Sequence, residues 1–196
     1  MTEREKKDMG LWYDANYNSD LLMERDYAEE LCFEINRISL RDGQRIREYL
    51  KKLLAEFGAD SVILPPFNVD YGYNCHIGNH TFINHYAYLM DCALITIGKY
   101  CFIGPHCGMY TAIHPMTVED RNQGLEMAKP ITVGDNVWLG ANVTILPGVT
   151  IGEGSVIGAG SVVTKDIPAH VLAVGNPCRV VREITEEDRI CRPSTL

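Results

Sequence analysis

The sequence lacks an excess of positive charge. It carries 18 Lys and Arg against 26 Asp and Glu, for a formal net charge of −8. A general nucleic-acid or anionic-membrane binder needs a basic face, so both classes are disfavoured. A local cluster of Lys and Arg could still meet a small anionic ligand. The sequence also lacks an apolar run long enough for a spanning helix. Met1 to Lys7 is charged and no signal-peptide core follows, so the expected location is the cytoplasm. The seven cysteines are odd in number and include no CxxC pair. They read as small buried hydrophobes in a reducing compartment rather than as a disulfide framework. What is present is ordinary globular content. Hydrophobic residues make up 46% of 196 residues, enough for one large domain, or a domain with a small appendage, that needs no staples. The 17 glycines are informative only if they recur with a period.

Two amphipathic helices are expected near the start. The first runs from about Asp20 to Ile38, capped by Ser19 or Asp20, with Tyr27, Leu31, Ile35 and Ile38 on one face. The second fits Gly43 to Phe57, with Ile46, Leu50, Leu53, Leu54 and Phe57 as its stripe and Gly58 as its stop. Together they form a hairpin that must pack on something else.

From about Ser61 the texture changes. Written in blocks of six from Val133, the chain reads VGDNVW, LGANVT, ILPGVT, IGEGSV, IGAGSV, VTKDIP. Each block opens on Val, Ile or Leu, and glycine is often second. The same phase gives IGKYCF and IGPHCG from Ile97. Earlier blocks IGNHTF, INHYAY and LMDCAL are offset by two residues, which requires an irregularity between Leu89 and Ile97. An insertion between Met109 and Val133 keeps the later blocks in register. One aliphatic per six residues matches neither the 3.6-residue helix period nor strand alternation. It fits a three-sided β-solenoid, with the aliphatic inward, a small fifth residue sharing the interior, and glycine permitting tight bends. Each coil pairs only with its neighbours, so the stack needs several coils and capped ends.

These hexapeptides, with VWLGANVTILPGVTIGEGSVIGAGSVVTKDIP, resemble the hexapeptide-repeat acyltransferases. LWYDAN, DYGYNCHIGNHTFINHYAYLMDC, TAIHP and GNPCRVVREI extend the resemblance to the maltose and galactoside O-acetyltransferases. The resemblance implies a mainly β fold. This is a left-handed parallel β-helix over residues 59–183, with an α-helical cap over 1–58, an inserted loop at 111–130 and a tail at 184–196. It also implies a homotrimer with active sites between subunits, acetyl-CoA as co-substrate, no metal, and a sugar acceptor.

Of the six histidines, His114 stands apart because it lies where the repeat breaks into a loop. The resemblance makes His114 the general base. The chemistry needs one, since a sugar hydroxyl must lose its proton as it attacks a thioester. By resemblance the oxyanion is met by the backbone N–H of Ala141, where the family often has serine, and Glu126 is a candidate to orient His114. The acceptor pocket implied by resemblance uses Asp14, Asp70, Asn84, Asp91 and Cys92. The galactoside branch has serine at the Asp70 position and aspartate at the Cys92 position, so this chain looks nearer the maltose branch. The other reading of Asp70 and Asp91 is turn stabilisation at a solenoid corner. The donor site is expected along the C-terminal coils. Ala159 would leave room for the pantetheine arm, Thr164, Lys165, Arg179 and Arg182 would hold the phosphates, and Trp138 would wall the cleft or simply pack. Two other functions fit a solenoid: a zinc-dependent carbonic-anhydrase-like protein, prompted by the five-residue spacing of His80 and His85, and a non-catalytic scaffold. The sequence offers no clear third zinc ligand at that level and the anhydrases lack the helical cap, while the intact TAIHP argues against the scaffold.

Overall fold

The aliphatics that open the six-residue blocks are buried without exception, among them Ile77, Ile83, Leu89, Ile103, Leu139 and Ile157. A computed structural model, which describes residues 1–190, shows how. The expected tail is described only to Ile190, and positions 191–196, Cys191 included, lie outside the described residues. Each block contributes a short strand, and three blocks make one coil. The strands stack into three parallel sheets. One runs through Glu56–Phe57, Cys75–Ile77, Ile95–Ile97, Ile131–Val133 and Thr150–Ile151. A second runs through Phe67–Val69, Ala87–Met90, Gly108–Tyr110, Thr144–Ile145 and Val162–Val163. The third has seven strands: six parallel ones from Val62–Ile63 to Val171–Val174, closed by an antiparallel seventh, Arg179–Glu183. Parallel pairing keeps equivalent residues in register, so Ile83 sits on Ile63 and beneath Ile103. One interior column of aliphatics follows, with Cys101 and Cys107 buried among them.

The second-place glycines do a different job from the one expected. Gly78, Gly98, Gly104 and Gly140 do not have positive φ. A Cβ on Gly104 would stand 2.6 Å from the carbonyl carbon of Gly140 in the next coil, and one on Gly78 the same distance from Gly98. Coil-to-coil contact, not bending, excludes a side chain there. The left-handed corners are taken instead by His80, Tyr100, His106, Asn136 and Asn142 as well as by glycine. Corner rings stack from coil to coil, His80 on Tyr100 and Tyr86 on His106, with centroids 4.6 Å apart.

The cap begins with α1 (Glu3–Asp8), unannounced in the hydrophobic pattern but held by a capping box between Thr2 and Glu5. Next, α2 (Ser19–Arg37) is capped by Asn18, whose side chain accepts the Leu21 N–H at 3.1 Å, rather than by Ser19 or Asp20. Leu31 and Ile35 are buried as expected, together with Leu21, Ala28 and Cys32, but Tyr27 is exposed. Then α3 (Gly43–Leu53) ends earlier than expected. Glu56–Phe57 pairs with Cys75–Ile77 as the first strand, so the solenoid starts before Ser61. The six cysteines of the described chain are all free and buried.

The stretch 111–130 is not a bare loop. Ala112–Ile113 and Leu125–Ala128 form an antiparallel pair that encloses α4 (Val118–Asn122). Tyr13–Asp14 of the cap adds a third strand beside Leu125–Ala128. This appended sheet ties the cap to the insertion and leaves the later coils in phase.

Candidate active site

All the irregularities of the repeat gather at one corner, where the chain passes from the Phe67–Val69 sheet to the Cys75–Ile77 sheet. The first coil turns there through Asp70–Asn74, the second through Asp91–Leu94, and the third leaves the solenoid as the appended sheet. Asp91 organises the first of these turns. Its carboxylate is fully buried and accepts the backbone N–H groups of Asp70 (3.1 Å), Tyr71 (2.8 Å) and Asn74 (3.2 Å). Burial holds its carboxyl above the usual range, and the backbone donors oppose that shift. Asp91 therefore does not reach an acceptor: its oxygens are occupied within the turn, which corrects the substrate-binding expectation.

His114 follows the strand Ala112–Ile113, with its side chain 47% exposed. Its Nδ1 lies 3.0 Å from the carbonyl oxygen of Leu125. A carbonyl only accepts, so this contact places a ring hydrogen on Nδ1, and in the neutral ring Nε2 is then the acceptor. Glu126 Oε2 lies 3.7 Å from that Nε2, beyond hydrogen-bond distance. Glu126 is buried and accepts the hydroxyl of Tyr13, itself wholly buried. Burial pushes the Tyr13 phenol far above its ordinary range, so it keeps its hydrogen and donates. Orientation of the His114 ring thus comes from a backbone carbonyl, while Glu126 stands at the other nitrogen.

Asp14 lies on the same sheet, and its carboxylate accepts from the backbone of Asn16 (3.1 Å) and Tyr17 (2.9 Å). Asp70 accepts from the Tyr88 hydroxyl and, at 3.5 Å, from the Cys92 thiol. Cys92 is almost fully buried and faces Asp70 rather than open space. Burial, with Glu126 and Asp70 nearby, pushes its thiol up, so it stays protonated. Asp70 and Tyr88 also line a polar cavity of about 510 Å³ with Asn16, Arg25, Asp26 and Glu29.

A second depression lies on the seven-stranded sheet. This groove, about 560 Å³, is lined by Asn84, Phe102, Trp138, Ala141, Ala159 and their neighbours. Trp138 is exposed within one chain and lines this groove. The Ala141 N–H makes no hydrogen bond among the described residues. Asn84 therefore joins the expected donor residues rather than Asp14, Asp70 and Cys92. Within one chain the site is in two parts, on two faces.

The repeats and the cap match known families. Residues 130–165 match the bacterial transferase hexapeptide (six repeats) family, and residues 9–58 match the maltose acetyltransferase hexapeptide capping motif. A putative acetyltransferase of Staphylococcus aureus (strain MRSA252) is 52% identical over 95% of this chain and 94% of its own length. The chain belongs to the hexapeptide-repeat acetyltransferases. A putative acetyltransferase of Saccharomyces cerevisiae is 49% identical over 91% of each chain. The crystal structure of a maltose O-acetyltransferase from Clostridium difficile 630 superposes with a TM-score of 0.92, at 42% identity, over 95% of this chain and 99% of that one. A galactoside acetyltransferase in complex with coenzyme A gives a TM-score of 0.91 at 38% identity, over 96% and 94% of the two chains.

Against that family background the cations are unequal. Thr164 and Lys165 are exposed after the last strand of the Phe67–Val69 sheet. Arg179 and Arg182 lie on the closing strand, Arg179–Glu183. The Arg182 guanidinium grips Asp188 with two nitrogens at 2.8 and 2.7 Å, and this holds the Asp188 carboxyl down to about 2. Among the described residues no three His, Cys, Asp or Glu side chains come together as a metal set. His80 and His85 occupy different corners, His80 stacked on Tyr100 and His85 against the Pro65 carbonyl. Tyr13, Arg25 and Tyr88 escaped sequence reasoning. Tyr13 was legible only as the neighbour of Asp14, because strand alternation sends the two to opposite sides.

Proposed function

We propose that this acetyltransferase moves an acetyl group from acetyl-CoA to a hydroxyl of a sugar of the maltose, glucose or galactoside type, in one direct step within a ternary complex. The observation that carries this reading is the His114 ring, held at Nδ1 by the Leu125 carbonyl, with no hydrogen bond at Nε2 among the described residues and a half-exposed side chain. Nε2 takes the proton of the acceptor hydroxyl as that oxygen attacks the thioester carbonyl. The carbon–sulfur bond then breaks, and the imidazolium returns the proton to the departing CoA thiolate. The free N–H of Ala141 meets the oxyanion. Asn84, Ala159 and Trp138 line the donor groove, Lys165 and Arg179 supply cations for the CoA phosphates, and the Thr164 hydroxyl donates a hydrogen bond to them. The coenzyme A and acetyl-CoA bound by similar acetyltransferases support this assignment. Asp14 and Asp70, with the polar cavity beside Tyr88, supply acceptors for sugar hydroxyls.

The base and the oxyanion donor stand on different faces, so the reading requires a second copy. The outward side chains of the seven-stranded sheet form an apolar stripe in strand register, Val62, Phe82, Phe102, Trp138, Val156 and Leu172. A homotrimer that lays one copy's appended sheet beside the next copy's stripe covers it and completes the site. The reading is tested by release of the CoA thiol. Release should depend on an added sugar, whereas equal release with and without sugars rejects the assignment, and failure to bind CoA points to a scaffold.

The cations give a graded expectation. Arg179→Ala should raise the KM for acetyl-CoA about tenfold, the value of one charge-assisted hydrogen bond of ~1.5 kcal/mol, and leave the acceptor KM alone. Arg182→Ala should do less, because Asp188 already engages its guanidinium. Steady-state kinetics with each substrate varied in turn checks this, and equal effects on both substrates would mark the two arginines as structural.

A further inference from the structure

Glu126 has two neighbours with opposite claims on it. The Tyr13 hydroxyl donates to its Oε1, while its Oε2 stops 3.7 Å short of His114 Nε2. A carboxylate that closed the last step would make an ion pair with the imidazolium. That pair would hold a proton on the very nitrogen that has to accept one. Tyr13 is placed to prevent this. It is fully buried, its backbone pairs directly with Glu126 across the appended sheet, and its ring is fixed among Leu21, Tyr71, Cys92 and Ala128. Its hydroxyl has no freedom to follow a moving carboxylate.

We infer that Tyr13 is a positioning residue, which tethers Glu126 away from His114 so that Nε2 stays open to the acceptor hydroxyl. The inference rests on the reading of His114 as the general base. The other groups around the pair do not compete for the role. Cys92, from the corner Asp91–Leu94, faces Glu126 with a protonated thiol that also contacts Asp70. Tyr71, from the corner Asp70–Asn74, is a buried phenol whose hydroxyl finds no partner among the described residues. Arg25 of α2 bonds the Ala15 carbonyl at 2.6 Å, and Arg121 of α4 bonds the carbonyls of Pro115 and Met116. No cation is thus bonded to Glu126 among the described residues, and the Tyr13 hydroxyl and the Cys92 thiol are the donors left to hold it. Of the two, only the hydroxyl is free of a second acceptor.

The test is the acid limb of the pH profile of kcat/KM, where the free base takes up its proton. Tyr13→Phe keeps the buried ring and removes the hydroxyl. It should move that limb to higher pH by about 0.5–1 unit, because a nearer carboxylate favours the imidazolium. A purely structural loss would lower activity at every pH and leave the limb in place. Glu126→Gln added to Tyr13→Phe should return the limb to its wild-type position or below it, since a neutral amide cannot retain the proton. An unmoved limb in Tyr13→Phe, or a shift that survives Glu126→Gln, overturns the inference. NMR titration of the His114 ring in both variants reads the same shift without turnover, so poor activity does not block the test. Full activity of a His114→Ala control would overturn the reading of the base itself, which separates the two failures.

Discussion

His114→Ala should lower kcat by at least ~10²-fold, the lower end of what a positioned general base supplies. Affinity for acetyl-CoA should stay close to wild type. The separation follows from the architecture. His114 stands on the appended sheet and does not line the donor groove on the seven-stranded sheet, so the groove keeps its own lining when the imidazole is removed. Stability should barely change, because the ring is half-exposed and its single partner, the Leu125 carbonyl, can turn to water. Three readings on one variant decide the matter: turnover on a sugar acceptor, CoA binding by calorimetry, and thermal melting. Lost turnover with intact binding and melting assigns the base. Wild-type turnover would remove His114 from the chemistry.

Asp91→Ala should have the opposite profile, a large loss of stability from a residue that touches no substrate. Three backbone N–H groups, of Asp70, Tyr71 and Asn74, lose their acceptor at once. Each buried orphan costs about 1–3 kcal/mol, so a loss of roughly 3–5 kcal/mol is expected, or a melting temperature lower by about 10 °C. Because the turn also seats Asp70, activity should fall in step with stability rather than through one KM. The pH dependence carries a sign. Burial raises the folded-state carboxyl above its unfolded value, so the fold is favoured at low pH and loses that increment as pH rises through the raised value. Asp91→Ala should lack the increment. A variant that melts like wild type, and loses only affinity for the sugar, would restore Asp91 to the acceptor pocket.

The fold was largely legible because six-residue periodicity is a strict physical constraint. An inward aliphatic at every head position has few alternatives once the helical and strand periods fail. Glycine illustrates the limit of such reading. Its place in each block was visible, but its reason was not, since the closeness of the Gly140 backbone, 2.6 Å from where a Cβ on Gly104 would stand, is invisible in one dimension. Helix ends suffered similarly: Glu56–Phe57 continues a helical pattern yet leaves it to pair with Cys75–Ile77, a long-range contact that outweighs local preference.

The candidate residues were legible as motifs, and their placement was not. His114 and Asp14 lie on the appended sheet, and Asp70 lies in the corner turn beside Cys92. Asn84 was grouped with them, and within one chain it lines the groove of Ala141 and Ala159. Asp91 and Cys92 were assigned to the ligand because a motif does not reveal which way a corner residue points. Tyr13 was passed over because a buried phenol gains meaning only beside the carboxylate it holds, 113 residues away.

The most direct measurement follows the acetyl group itself. Acetyl-CoA labelled in the acetyl carbonyl is incubated with maltose, glucose or a galactoside, and the labelled carbon is tracked by NMR in wild type and in His114→Ala. The account predicts a new sugar acetyl ester with wild type and almost none with His114→Ala. Label that remains on CoA, or appears only as free acetate with every sugar, would contradict it.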